Sequence, residues 1–378
     1  MQVTGIICEY NPLHLGHKKQ LCAIRAAYPD GGIVCLMSGN YVQRGDPAIL
    51  DKGLRAKAAI ECGADLALEL PITASLSSAE GFAKEGVRIL GSFCDELCFG
   101  AETASKDALM ATAKALLRED FPEALRKELD KGLSFPAARQ KALEAMGLSG
   151  DILSQPNDIL AVEYCKAIVS LGLTMEPMVI AREGSYHDTQ ADCQNPSATA
   201  VRALMENGGN WENFVPTDLF QDAKLHSLAA GEQAILYRLQ SMTDEEFEAL
   251  PYGSEGLWRK LMQNARTLAS LEEILTATKS KRYTRARLDR MVMCAFLGLT
   301  QEDLDSPAPY ARVLAFNDKG REILKAAREK LWLPNTGEPV DHPYQELEYR
   351  AGRLYGLFAI GGELPLQEQN RRIYYKKA

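Results

Sequence analysis

The chain has 378 residues, 46% hydrophobic and 25% charged, with a formal charge of −8 at pH 7; that is long enough for two domains, or one large one, around a substantial core. No apolar run approaches the length of a membrane span and the start, Met-Gln-Val-Thr-Gly, has no basic leader, so a soluble cytoplasmic protein is expected, with no membrane partner. Nine cysteines form no C-x-x-C pair and are read as reduced core residues, Cys94 and Cys98 being the closest pair and structural. Val3–Cys8 is apolar and largely β-branched, as a strand buried on both faces should be, and Asn11-Pro12 ends it. The next residues, His14-Leu15-Gly16-His17-Lys18, restart the chain as a helix. Both imidazoles, at i and i+3, then share a face beside unpaired backbone N–H groups. Helix dipole, imidazoles and Lys18 converge on an anion site, and Gly16 lets a phosphate approach the backbone. Two His at this spacing could also ligate zinc or simply cap the helix, but no Cys or third His stands at a companion spacing.

Further strands are predicted at 33–37, 66–70, 97–99 and 175–180, and helices at 18–27, 52–62 and 78–90. This alternation predicts an α/β fold, a mostly parallel sheet covered on both faces with ligands outside the carboxyl ends of its strands. Residues 103–172 read as helical, punctuated by Pro122, Pro136 and Pro156, and form an insertion or cover. The polar loop 38–47 offers Gln43 and Arg44 as donors to a nucleotide or acceptor. Lys52, Arg55 and Lys57 on the next helix suit either RNA phosphates or a solvated face. Gly100 at a strand end suits a close approach to adenine or ribose, and Asn157 or Asp158 suits a helix cap. Ser197 or Thr199 before an apolar helix is a further cap signature, following Arg182 to Asp188 with its Tyr186 and His187. Beyond about 210 the chain is helical in tone. Residues 251–300 carry nine Lys or Arg against four acids, so an acidic protein has one basic patch that a polyanion would meet.

Neither G-x-x-x-x-G-K-[ST] nor G-x-G-x-x-G occurs. His14-Leu-Gly-His17 after a first strand instead resembles the HxGH motif of the nucleotidyltransferase superfamily. With Glu9-Tyr-Asn-Pro and Met37-Ser-Gly-Asn-x-Val-Gln-Arg-Gly45, the chain resembles the tRNA(Met) cytidine acetate ligases, from which Leu13 and Leu15 depart mildly. The resemblance implies a Rossmann-like parallel-sheet nucleotidyltransferase domain with a helical insertion over 1–205, then a mainly α-helical tRNA-binding domain over 206–378. It implies His14, His17 and Lys18 as catalytic residues. ATP would be held by Ile7, Cys8, Glu9, Tyr10, Asn11, Pro12, His14, Gly16, His17, Gln20, Gly100, Asn157, Arg182, Ser197, Thr199 and Arg202. The last three resemble the superfamily's second phosphate-binding motif. RNA would meet Lys279, Lys281, Arg282, Arg285, Arg287 and Arg290. Mg²⁺ is expected through ATP rather than on protein side chains. The implied reaction activates acetate as acetyl-adenylate and acetylates N4 of the wobble cytidine of elongator tRNA(Met). The residues alone reach adenylyl transfer beside a basic surface, and leave open a small-molecule adenylyltransferase or a non-catalytic RNA-binding factor.

Overall fold

In a computed structural model, which describes residues 1–182, 196–280 and 283–377, the apolar runs take central places because they have no polar face to give to water. β1 (Val3–Cys8) and β2 (Gly32–Ser38) are buried along their whole length and pair in parallel, Val3 opposite Gly32 and Cys8 opposite Met37. β3 (Leu66–Leu70), β4 (Glu96–Ala101) and β5 (Glu176–Ala181) extend the parallel sheet, each within two residues of its expected place. The sheet is completed by β6 (Arg312–Asn317), antiparallel to β3, and β7 (Tyr374–Lys376), in the order β5-β4-β1-β2-β3-β6-β7. β1 therefore has β2 on one side and β4 on the other. The chain reverses its direction of travel there, and the crevice outside the carboxyl ends of β1 and β4 is where such sheets bind ligands.

Side chains alternate along β1: Ile7 joins the core under helices Ala79–Leu90 and Pro156–Ser170, while Ile6 and Cys8 join the core under α1 (Leu15–Ala27) and α2 (Lys52–Glu61). The expected insertion between β4 and β5 is helical throughout its regular elements and seats Leu109, Ala142 and Ala161 on the first of these cores. No helix among the described residues is long and apolar enough to cross a membrane. The eight described cysteines are free thiols, but Cys22 is exposed and Cys62 half-buried, so not all are core residues.

The carboxyl-terminal half has its own core, with Ile235, Leu239, Phe247, Leu261, Leu275 and Met291. It is not wholly helical, as its tone suggested, because it returns β6 and β7 to the sheet. A four-residue apolar run such as Val313–Phe316, within the strand Arg312–Asn317, has too little length for its periodicity to distinguish strand from helix.

This return decides what α2 faces. Arg55 is 0% exposed, and its guanidinium donates to the carbonyls of Leu50 (2.8 Å), Ser38 (3.1 Å), Glu9 and Gly39. Lys52 is buried between Glu69 (2.8 Å) and Glu368 (2.9 Å), and Lys57 lies over the ring of Tyr374. The cationic face of α2 thus holds the ends of β1 and β2 together under the returning tail, and neither Lys52 nor Arg55 is placed to meet RNA. Arg55→Met should leave four buried carbonyls without their donor and cost at least about 3 kcal/mol in urea unfolding. A loss below about 1 kcal/mol would contradict this role.

Candidate functional site

The site begins at the cap of α1. His14 is the N-cap, extended at φ −128°, and its Nδ1 accepts the N–H of Gly16 at 3.1 Å. His17, three residues on, returns the favour: its Nδ1 accepts the N–H of His14 at 3.2 Å. The pair forms a capping box made of two imidazoles. Because both Nδ1 atoms accept, each neutral ring carries its proton on Nε2 and is left with one N–H donor. The rings stack at 3.7 Å, and Tyr10 meets His17 edge-on at 4.9 Å. Tyr10 adopts φ +45°, uncommon for a residue with a bulky side chain, at the bend that carries the chain off β1, and its hydroxyl sits 3.4 Å from Cys35 Sγ. Asn11 fixes the same turn by accepting the N–H of Ile49 at 2.8 Å. Burial pushes the His14 pKa down to about 3, with Arg182 and Arg202 adding to the effect, and burial holds His17 well below the usual imidazole range. The two rings are donors, not cations.

Across the crevice, Ser197 caps the helix Ala198–Glu206 and accepts the N–H of Ala200 at 3.1 Å. Arg202 on that helix reaches back, donating from Nη1 to the carbonyl of Asn11 at 2.7 Å and from Nη2 to Thr199 Oγ1 at 3.2 Å. At the far end Gly100, Asn157 and Arg182 meet, with Arg182 Nη1 3.4 Å from Asn157 Oδ1. Together these groups line one cleft of about 1350 Å³, including its open mouth. Of the expected ATP-binding set, Ile7 to Asn11, His14, His17, Gln20, Gly100, Asn157, Arg182, Ser197, Thr199 and Arg202 all line it. Pro12 and Gly16 shape the turn behind that wall.

Lys18 does not join them. It is exposed, close enough to Cys62 to act on its thiol, and outside the cleft lining. Since His14 precedes the helix, His17 and Gln20 define the cleft face, and Lys18 is turned about 100° from His17. Positive charge comes instead from Arg182 and Arg202, whose burial lowers their pKa against the partial compensation of Glu102, and of Asp46 with Glu9. Arg44 and Asp46 also line the cleft, and Glu9 Oε1 accepts the N–H of Gln43 at 2.7 Å. The apolar wall of Phe82, Phe99, Leu160 and Tyr164 was not anticipated. Part of it had a signal: 157, 160 and 164 share a helical face. Among the described residues no three His, Cys, Asp or Glu side chains are placed to hold a metal.

The expected RNA-facing cations fare differently. Arg285 is paired with Glu272 (2.8 Å) and Asp289 (2.7 Å), and Arg287 donates to the Tyr252 carbonyl and Ser254. Arg290 is only 8% exposed, lies over the Tyr252 ring and donates to the Gln43 carbonyl at 3.3 Å. These three arginines fasten the helix Arg285–Leu297 to its surroundings instead of standing free for phosphates. Gly45, at φ +89°, shows how closely: a Cβ there would lie 2.5 Å from the Asp289 backbone. Lys279 is exposed at the end of the helix Leu271–Thr278. Lys281, Arg282 and the segment from Tyr186 to Asp188 lie outside the described residues.

Neutral N–H donors, two helix N-termini and two guanidiniums around one crevice suit a polyphosphate, at the place where doubly wound sheets hold nucleotides. The class is that of the nucleotidyl transferases: the family described as HIGH Nucleotidyl Transferase matches residues 1–369. The tRNA(Met) cytidine acetate ligase of Clostridium novyi (strain NT) is 38% identical over 356 residues, 88% of this chain and 89% of that protein. The protein of the same name from Clostridium acetobutylicum is 35% identical over 402 residues, 99% of each. Crystal structures of Thermotoga maritima TmcAL match with both chains covered in full, the apo form at TM-score 0.90 and 29% identity, the form bound with alpha-thio ATP at 0.88 and 28%. The chain thus belongs to the tRNA(Met) cytidine acetate ligase family of the HIGH nucleotidyl transferases.

Two expectations follow from the geometry. An imidazole with a pKa near 3 when folded and about 6.5 when unfolded binds its proton more readily in the unfolded chain. Stability is then fully present above pH 6.5 and falls as pH drops toward 3, by up to about 1.4 kcal/mol per pH unit for each ring. Urea midpoints measured from pH 7 to 4.5 should fall less steeply for His14→Asn, which keeps a capping side chain, than for the wild type; equal slopes would contradict neutral rings. Lys18→Ala should leave the rate of adenylate formation within about twofold.

Proposed function

We propose that the cleft binds ATP, joins it to acetate as acetyl-adenylate and passes the acetyl group to N4 of the wobble cytidine of elongator tRNA(Met), forming N4-acetylcytidine. The observation that carries this reading is the His14–His17 cap facing Arg202 across the crevice, in a chain whose relatives bear the ligase name. The structural neighbour bound with alpha-thio ATP supports a nucleotide in the same fold.

An acetate oxygen attacks the α-phosphorus in line and the bond to the bridging oxygen breaks, releasing pyrophosphate. Charge on the α-phosphoryl oxygens is met by the Nε2–H groups of His14 and His17 and by the amino end of α1. Ser197, Thr199 and Arg202 serve the β and γ phosphates from the other wall, where the guanidinium makes charge-assisted bonds. The turn from Ile7 to His17, with Gln20, lies under the nucleotide; Gly100, Asn157 and Arg182 hold its other end. Mg²⁺ bound to the nucleotide, rather than to protein side chains, would add further neutralisation of phosphate charge. No protein nucleophile takes part. In the second step the cytidine N4 lone pair attacks the acyl carbon, the bond from that carbon to the AMP oxygen breaks, and the amine loses a proton. The wall of Phe82, Phe99, Leu160 and Tyr164 keeps water from the mixed anhydride meanwhile.

The helical half, 206–378, receives the tRNA, with Lys279, Lys281 and Arg282 as backbone contacts and binding that weakens with salt. A cytoplasmic location accords with a tRNA substrate and ATP.

Incubating the protein with ATP, acetate and unmodified elongator tRNA(Met), then weighing the nucleosides, should reveal a cytidine heavier by one acetyl group. His14→Ala and Arg202→Ala should each slow this by about 100-fold or more. Absence of acetylated cytidine with the folded wild-type protein would sink the reading.

A further inference from the structure

Resting on the reading that the cleft takes ATP, we infer that Glu102 is a positioning residue that makes the site choose adenine over guanine, by locking the amide of Asn157 in one orientation. Glu102 follows β4 and reaches the first turn of the helix Pro156–Ser170. There Oε1 accepts from Asn157 Nδ2, and Oε2 accepts the N–H of Asp158 at 2.9 Å. Asp158 in turn accepts from the N–H (2.8 Å) and hydroxyl (2.7 Å) of Thr103, so the segment carrying Glu102 is itself pinned to that helix. On the opposite side of the amide, Arg182 Nη1 faces Asn157 Oδ1 at 3.4 Å.

An asparagine amide can ordinarily turn over at little cost. Here one neighbour is a carboxylate, which only accepts, and the other a guanidinium, which only donates. Only Nδ2 can face Glu102 and only Oδ1 can face Arg182. The outer edge of the amide, part of the cleft wall, therefore shows an acceptor and a donor in fixed order. That order complements the N6 amine and N7 of adenine, the bidentate match that an asparagine side chain makes with that base. On that same edge guanine offers O6 and N7, two acceptors, and so meets one match and one clash whichever way the amide is turned. Gly100 leaves room beside it, since a Cβ there would lie 3.0 Å from Arg182 Cγ. The apolar side chains of Leu160 and Tyr164, one and two turns along the same helix face, give a flat base its surroundings.

Glu102→Gln is nearly isosteric and tests this directly. The N–H of Asp158 still requires an acceptor, so the new amide must give it the oxygen and turn its NH₂ toward Asn157. Asn157 is then pulled both ways, since accepting from the new amide means turning its Nδ2 toward Arg182. The lock is lost, and in the turned-over state both of its matches to adenine become clashes. Binding of nonhydrolysable ATP and GTP analogues, measured by calorimetry without acetate or tRNA, should show ATP affinity falling about tenfold or more while GTP affinity stays within about threefold. The double variant Glu102→Gln/Asn157→Asp should recover part of the loss, because a carboxylate accepts from the new amide and still offers an oxygen to N6. Thermal melting accompanies each variant, because a purely structural role for Glu102 would weaken both nucleotides together. Equal losses for ATP and GTP, an unchanged ratio in Glu102→Gln, or a wild type that binds ATP without preferring it to GTP would overturn the inference and leave the ATP reading standing. A folded wild type that binds neither analogue would overturn both.

Discussion

The arrangement on which the remainder of the site depends is the reciprocal cap at the end of β1. A helix start leaves several N–H groups without partners, and most proteins spend a serine or aspartate on them. Here two histidines cap each other's backbone, so a local requirement of helix α1 also fixes the tautomer of both rings. Capping and anion binding, which compete as explanations of His14-Leu-Gly-His17 in the sequence, are compatible in one geometry. Each Nδ1 is committed to the backbone, and each Nε2–H is thereby free for an anion.

Burial shapes the electrostatics in the same sense. Rings held out of water, beside Arg182 and Arg202, stay neutral, since a protonated imidazole would be both desolvated and repelled. The fixed charge resides instead on guanidiniums, which keep their proton in almost any setting. A cleft so composed keeps its charge at neutral pH while presenting directional N–H donors. Arg202 joins the two walls, since its hydrogen bond to the Asn11 carbonyl ties the helix Ala198–Glu206 to the turn that follows β1.

The two halves of the chain are more closely coupled than a catalytic domain followed by a binding domain would be. Tyr41, on the loop after β2, belongs to the core of the helical half and donates to the Ala351 carbonyl at 3.0 Å. Arg290 and the backbone contact at Gly45 press the same loop from the other side, and the next residues along it, Arg44 and Asp46, line the cleft. Whatever the helical half meets is therefore one short loop away from the nucleotide. The tail has a similar part: Arg371 pairs with Asp51, the cap of α2, at 2.5 Å, and Glu368 meets Lys52, so the end of the chain holds the helix that carries Arg55.

By itself the sequence determined what local rules govern. Five parallel strands, the helices that follow them and the strand-to-helix turn that carries His14 and His17 were legible, because apolar runs, caps and such turns act within a few residues; that Asn157 and Arg202 belong with that turn was implied by family resemblance, not by local rules. What lay beyond it were the facts set by distant chain. β6 is a strand because β3 offers it an edge, and β7 because β6 does so in turn, and a six-residue or three-residue run carries no such instruction. Arg55, Lys52 and Arg290 read as solvated or RNA-facing cations, since charge on a helix is usually outside; tertiary packing surrounded them with carbonyls, carboxylates and an aromatic ring. Lys18 looked like part of the anion site because it adjoins it in sequence, and the turn of the helix carried it to another face. Orientation around a helix axis and burial by remote segments are properties of the folded chain, and they separated the residues that line the cleft from those that merely stand next to them in the sequence.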